Sequence, residues 1–129
     1  MNKYIKLLIL SMSVVLCGCG DNNEPDDSYS SDYYVKYEAS VSSSNYGKTV
    51  EYTVETDIGR KTFVGGKTFE QTFGPVKKGF KASVRADAGN YYGAECNVKI
   101  YVCRGNEPFA LKANQSGSTN VAVSYTIDY

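Results

Sequence analysis

"AECNVKIYVC", residues 94–103, alternates without a break: Ala94, Cys96, Val98, Ile100 and Val102 fall on one side, and Glu95, Asn97, Lys99, Tyr101 and Cys103 on the other. A helix would space its apolar residues three and four apart, whereas a period of two belongs to a strand with one dry face and one wet face. Such a strand cannot bury its dry face alone. Its neighbours in sequence must therefore show the same period.

They do, in both directions. Upstream, "YYVKYEASV" (33–41) sends Tyr33, Val35, Tyr37, Ala39 and Val41 one way and Tyr34, Lys36, Glu38 and Ser40 the other, before "SSSNYG" (42–47) turns the chain. "TVEYTVET" (49–56) alternates Val50, Tyr52 and Val54 with Glu51, Thr53 and Glu55 and breaks at Asp57 and Gly59. "KTFV" (61–64) is closed by Gly65-Gly66, a hairpin-type signal, and "KTFEQTF" (67–73) ends at Gly74-Pro75, where proline excludes a central ladder position. "FKASVRA" (80–86) turns Phe80, Ala82, Val84 and Ala86 to one side, and "DAGNYYG" (87–93) is the longest turn. Downstream, "PFALKA" (108–113) reads as a short strand, "NQSGS" (114–118) as a turn, and "NVAVSYTID" (120–128) as a last strand with Val121, Val123, Tyr125 and Ile127 on one face. Seven or eight short strands with turns every eight to twelve residues and no helical period predict an all-β fold. The expected form is a single antiparallel two-sheet β-sandwich, immunoglobulin-like, over residues 33–129.

The order "VKYEASV", "VEYTVETD", "FGPVKKGFKASVRA", "CNVKIYV" and "SGSTNVAVSYTI" resembles the extracytoplasmic domain of MmpS-type transport accessory proteins, a small β-sandwich, over nearly all of residues 35–127. The resemblance implies a structural or interaction role in an envelope or transport complex. Two departures accompany it. That family pairs the cysteine matching Cys96 with one near the last strand, where this chain has Tyr125, and it carries an N-terminal membrane helix.

This chain begins differently. "MNKYIKLLILSMSVVLCGCG" (1–20) has Lys3 and Lys6, an apolar run from Leu7 to Leu16 and then small residues. That order predicts a secretory signal peptide over residues 1–18, its apolar run about half of the roughly 20 residues a spanning helix needs. Leu16-Cys17-Gly18-Cys19 resembles the lipobox of bacterial lipoproteins, which implies lipidation of Cys19 and a membrane partnership through that lipid. Two or three acyl chains, at about 0.8 kcal/mol per buried methylene, hold where one chain holds marginally. Residues 20–32, "GDNNEPDDSYSSD", carry five acids and no base. With Cys19 they predict an acidic disordered tether over residues 19–32. The tether resembles the export signals of Bacteroides-type surface lipoproteins, so display on the outer face of the outer membrane is expected, with a periplasm-facing spacer as the alternative.

Residues 33–129 hold 12 bases and 9 acids, too mild an excess for nucleic-acid binding. The chain has no histidine, which removes the commonest general base and metal ligand together. No catalytic residue, metal site or cofactor is expected, and the chain reads as a non-enzyme. Glu51 and Glu55 share a strand face about 13 Å apart and read as solvated rather than as a glycosidase pair. Cys96 and Cys103 lie about 23 Å apart along a regular strand. They can bridge only if a bulge or turn breaks it; otherwise Cys96 is a small buried hydrophobe and Cys103 an outward, reactive thiol.

Tyrosine is the compositional excess, with 12 residues. Tyr46, Tyr91 and Tyr92 fall in turns and Tyr34 and Tyr101 on outer strand faces, positions suited to stacking on a sugar or gripping a protein. Tyr46, Tyr91 and Tyr92 are the ligand-binding candidates, with a glycan or an envelope protein as partner. Lys77, Lys78 and Lys81, with Arg60, Lys61 and Lys67, form a basic middle segment. The functional expectation is a membrane-anchored, non-catalytic binding or accessory module of the bacterial envelope.

Overall fold

The computed structural model describes residues 32–43, 49–89 and 93–129. Residues 1–31, with Cys19 and the tether, and the tyrosines Tyr46, Tyr91 and Tyr92 lie outside the described residues. Eight strands follow one another: β1 (Tyr33–Ser42), β2 (Val50–Thr56), β3 (Gly59–Gly65), β4 (Thr68–Val76), β5 (Lys81–Asp87), β6 (Glu95–Arg104), β7 (Ala110–Ser118) and β8 (Asn120–Thr126). They make two four-stranded antiparallel sheets, β4-β1-β6-β7 and β3-β2-β5-β8, and the described residues contain no helix. The immunoglobulin order splits seven strands four and three with the first at a sheet edge. Here β1 lies inside its sheet, between β4 and β6.

Alternation sets the core. Tyr33, Val35, Tyr37, Ala39 and Val41 of β1 and Cys96, Val98, Ile100 and Val102 of β6 are buried against Val50, Tyr52 and Val54 of β2 and Ala82, Val84 and Ala86 of β5. The tyrosines and valines of β1 and the β-branched row of β6 meet the small alanines of β5, which suits sheets about 10 Å apart. A buried phenol needs a partner for its hydroxyl, and each of these has one on the backbone. Tyr37 in the first sheet donates to the Glu55 carbonyl at 2.7 Å and accepts from the Ser83 N–H at 3.2 Å, tying β1 to both β2 and β5. Tyr52 donates to the Gly66 carbonyl at 2.5 Å, and Tyr33 to the Tyr129 carbonyl. Part of the tyrosine excess is thus core.

Three local expectations are corrected. Gly65-Gly66 does not close a hairpin: β3 pairs with β2 and β4 with β1, so residues 65–67 cross from one sheet to the other. "NQSGS" is not a turn but the second half of β7, paired with β6 from Cys96↔Gly117 to Val98↔Gln115. Its glycine is there for space, because a Cβ on Gly117 would lie 3.0 Å from Val121 Cγ2, where β7 closes against β8. Cys103 occupies the outer row of β6, opposite Tyr34, yet is only 5 % exposed. Here the chain folds over the outer face: the Gly105 N–H donates to the Asp32 carbonyl, and the Cys103 thiol contacts the Gly105 carbonyl at 3.9 Å. Burial pushes that thiol up from its ordinary range, the opposite of a reactive cysteine. Cys96 and Cys103 are both free thiols.

On one side of the sandwich the edge strands β3 and β4 face each other across the core. Phe63 of β3 packs against Phe69 and Phe73 of β4, with ring centroids 5.3 and 6.3 Å apart. In the inward rows of these edges stand Lys61, opposite Val54, and Gln71, opposite Tyr37. Polar residues in an inward edge row discourage a further strand from adding there. Gly74 and Pro75 end the β4 ladder at a close approach, where a Cβ on Gly74 (φ +141°) would lie 2.8 Å from the Tyr33 carbonyl oxygen.

Candidate functional site

The strand ends at the far end of β1 gather at one pole of the sandwich, with Ser43, residues 65–67, Ala88, Ala94 and Thr119. The chain enters at the other pole through Asp32. Thr119, in the left-handed region at φ +58°, pins the far pole. Its carbonyl accepts from the Ala88 N–H at 2.7 Å, and its own N–H reaches the Ala94 carbonyl at 3.2 Å.

The basic middle segment does not form a patch. Arg60 pairs with Glu55 at 2.6 Å and Lys77 with Asp32, while the Lys67 ammonium donates to the Ser43 carbonyl at 3.0 Å at the far pole. Glu51 and Glu55 stand on the outer face of β2, with Thr53 between them bonded to Thr62 at 3.2 Å and Glu55 already paired. That face is solvated, as expected.

A groove of about 260 Å³ lies elsewhere, on the outside of the β4-β1-β6 sheet. Glu38, Ala39 and Ser40 of β1, Thr68, Phe69 and Glu70 of β4, and Asn97 and Lys99 of β6 line it. The registers explain the grouping. Glu70, Glu38 and Lys99 form one row across three strands, and Thr68, Ser40 and Asn97 form the next. Residues directly opposite on adjacent antiparallel strands have their Cβ atoms roughly 5 Å apart. Glu38 and Glu70 are therefore direct neighbours across the β1–β4 ladder.

Glu38 is partly answered: Lys36 Nζ lies 3.4 Å from its Oε1, and the Tyr101 phenol is near enough for the two groups to interact. The Tyr101 phenol is pushed above its ordinary range by burial first, then by that interaction and by the charges of Glu38 and Glu70. Glu70 makes no ion pair or side-chain hydrogen bond among the described residues, and neither does Lys99. In the second row, Asn97 donates to Ser116 of β7 at 2.6 Å, and its amide oxygen makes no hydrogen bond among the described residues.

An aromatic end adjoins this polar stretch. Tyr101 stands opposite Leu111 of β7, and Lys36 spans the Tyr101 and Phe109 rings at 4.6 and 5.3 Å from their centroids. Phe109 and Leu111 are exposed. A ligand lying along this face meets carboxylates, an amide, hydroxyls and an ammonium, then apolar rings.

Of the tyrosines placed outward by alternation, Tyr101 stands one row beyond the groove, opposite Lys36. Tyr34 lies beyond it, over Cys103 and Gly74. Glu38 and Glu70 were missed in the sequence because they are 32 residues apart and meet only through the β1–β4 register. Among the described residues, no group of three or more metal-ligating side chains comes together. No family model, curated protein or solved structure matches the chain.

Proposed function

We propose that this chain is a lipid-anchored ligand-binding module of the bacterial envelope, held by acylated Cys19 on the acidic tether, with a glycan as its ligand. The observation that carries the reading is the groove across β4, β1 and β6, with hydrogen-bonding groups of both kinds, and Phe109 and Leu111 exposed on the same sheet beyond it. Sugar sites combine these features, because a pyranose offers hydroxyl edges and an apolar face. A sheet supplies the rigid platform. The tether supplies reach, and the lipid keeps the module at the surface.

One experiment addresses both halves. Cells producing the wild-type chain are expected to be retained on a polysaccharide-coated surface. Ser40→Trp, which fills the groove from an exposed position, is expected to abolish retention while the protein stays in the membrane fraction. Cys19→Ser is expected to move the protein to the soluble fraction. Retention unaffected by Ser40→Trp would sink the groove; membrane attachment unaffected by Cys19→Ser would sink the anchor. The Glu38–Glu70 pair also meets the residue requirement for glycoside hydrolysis. Release of new reducing ends in the same incubation would replace the binding reading by a hydrolytic one.

A further inference from the structure

Side-by-side glutamates are an unfavourable way to build a sheet face. Like charges directly opposite each other on neighbouring strands are destabilising, and a single glutamine at either position would remove the cost. The neighbourhood does not compensate fully. Lys36 and Tyr101 serve Glu38, on the β6 side, and Glu70 is left on the outermost strand with no partner among the described residues. Lys99, two strands from Glu70 and so roughly 10 Å away, is on the wrong side of Glu38 to answer it. Where a local rule is broken without compensation inside the fold, function is the usual reason. Here the break lies in the wall of the groove.

We infer that the groove selects oligosaccharides that carry free amino groups, seating one ammonium between Glu38 and Glu70 while neighbouring hydroxyls reach Ser40, Thr68 and the Asn97 amide oxygen. The inference rests on the groove reading above and adds the charge of the ligand. An ammonium brings three donors and one positive charge, so it bonds to both carboxylates and removes their repulsion. A neutral N-acetyl sugar meets the same hydroxyl and amide partners but leaves the repulsion in place. An acidic sugar adds to it. Discrimination therefore comes from what the pair repels as much as from what it attracts.

The test uses the full-length chain in detergent, at a mildly acid pH that keeps the sugar amines protonated. It is titrated with a chitosan tetrasaccharide, with the fully N-acetylated form of the same backbone, and with an oligogalacturonate. The amino form is expected to bind roughly tenfold tighter than the acetylated form, the loss that follows removal of one charged hydrogen bond. The oligogalacturonate is expected not to bind. Glu70→Gln is expected to erase the difference between amino and acetylated forms while its melting temperature stays the same or rises, which a merely structural glutamate would not do.

Equal binding of the two forms by the wild type, with Ser40→Trp abolishing both, would overturn the charge selection and leave the groove standing. Affinity for the amino form that neither Glu70→Gln nor Ser40→Trp changes would overturn it too, since the tether acids are the same in every variant. Binding of none of the three sugars would overturn both this inference and the glycan reading.

Discussion

The outer faces of the two sheets carry similar acid pairs, and what separates them is a groove. On the β3-β2-β5-β8 face there is also an acid pair, Glu51 opposite Asp87. Asp87, however, is surrounded: Arg85 Nη2 lies 3.4 Å from its Oδ2, the Asn120 amide 3.5 Å from the same oxygen, and the Gly89 N–H donates to Oδ1 at 2.8 Å. Glu55 on that face has Arg60. Glu51 and, on the β4-β1-β6-β7 face, Glu70 both lack an ion pair or side-chain hydrogen bond among the described residues, but Glu70 lines the groove and Glu51 does not. Asp87 caps a turn on one face, whereas the acid pair on the other lies in the wall of the groove.

The largest way to break the comparison is to remove what both faces rest on. Tyr37→Ala is expected to cost about 3–5 kcal/mol, read as a large fall in urea midpoint. It deletes a core ring and the hydroxyl that joins β1 to β2 and β5. Tyr37→Phe, which keeps the ring, is expected to cost about 1–3 kcal/mol by leaving the Ser83 N–H without that partner. Equal stability of Tyr37→Phe and wild type would mean that the hydroxyl does not staple the sheets.

Alkali should reach the same core. Burial, with the nearby Cys96 as a smaller contributor, pushes the Tyr52 phenol up to about 12 from its ordinary 10. The folded state therefore holds that proton more tightly than the unfolded chain. Its contribution is complete below pH 10 and is lost as the pH rises toward 12, by at most about 1.4 kcal/mol per pH unit. Tyr52→Phe should flatten this part of a stability-against-pH curve, and parallel curves would contradict the assignment.

Smaller changes should split the faces by sign. Asp87→Ala is expected to destabilise by about 1 kcal/mol through loss of the Gly89 N–H acceptor. Glu70→Gln is expected to stabilise by a few tenths to about 1 kcal/mol through relief of repulsion. Urea midpoints moving the same way for both variants would erase the distinction between the faces.

What was legible in the sequence follows the range of the interaction. The period of two in residues 94–103 and its neighbours marked nearly every inward residue, because facing is decided within a strand. Pairing is decided between strands. Gly65-Gly66 therefore looked like a hairpin although β3 and β4 belong to different sheets, and "NQSGS" looked like a turn although Gly117 serves the closure of β7 on β8. Cys103 had its outer row read correctly and its exposure misread, since the cover comes from the segment entering at Asp32. The groove was hidden for the same reason. Each of Glu38, Glu70, Asn97 and Lys99 falls on the outer row of its strand by alternation, but only the order β4-β1-β6 brings them together.

The measurement that tests the central claim most directly is a backbone-amide NMR titration of the full-length chain with the chitosan tetrasaccharide. The account predicts shifts concentrated at residues 38–40, 68–70 and 97–101, with the β3-β2-β5-β8 face silent. Shifts centred on Glu51 and Asp87, or on the connections at the far pole, would contradict it, as would the absence of any shift at saturating sugar.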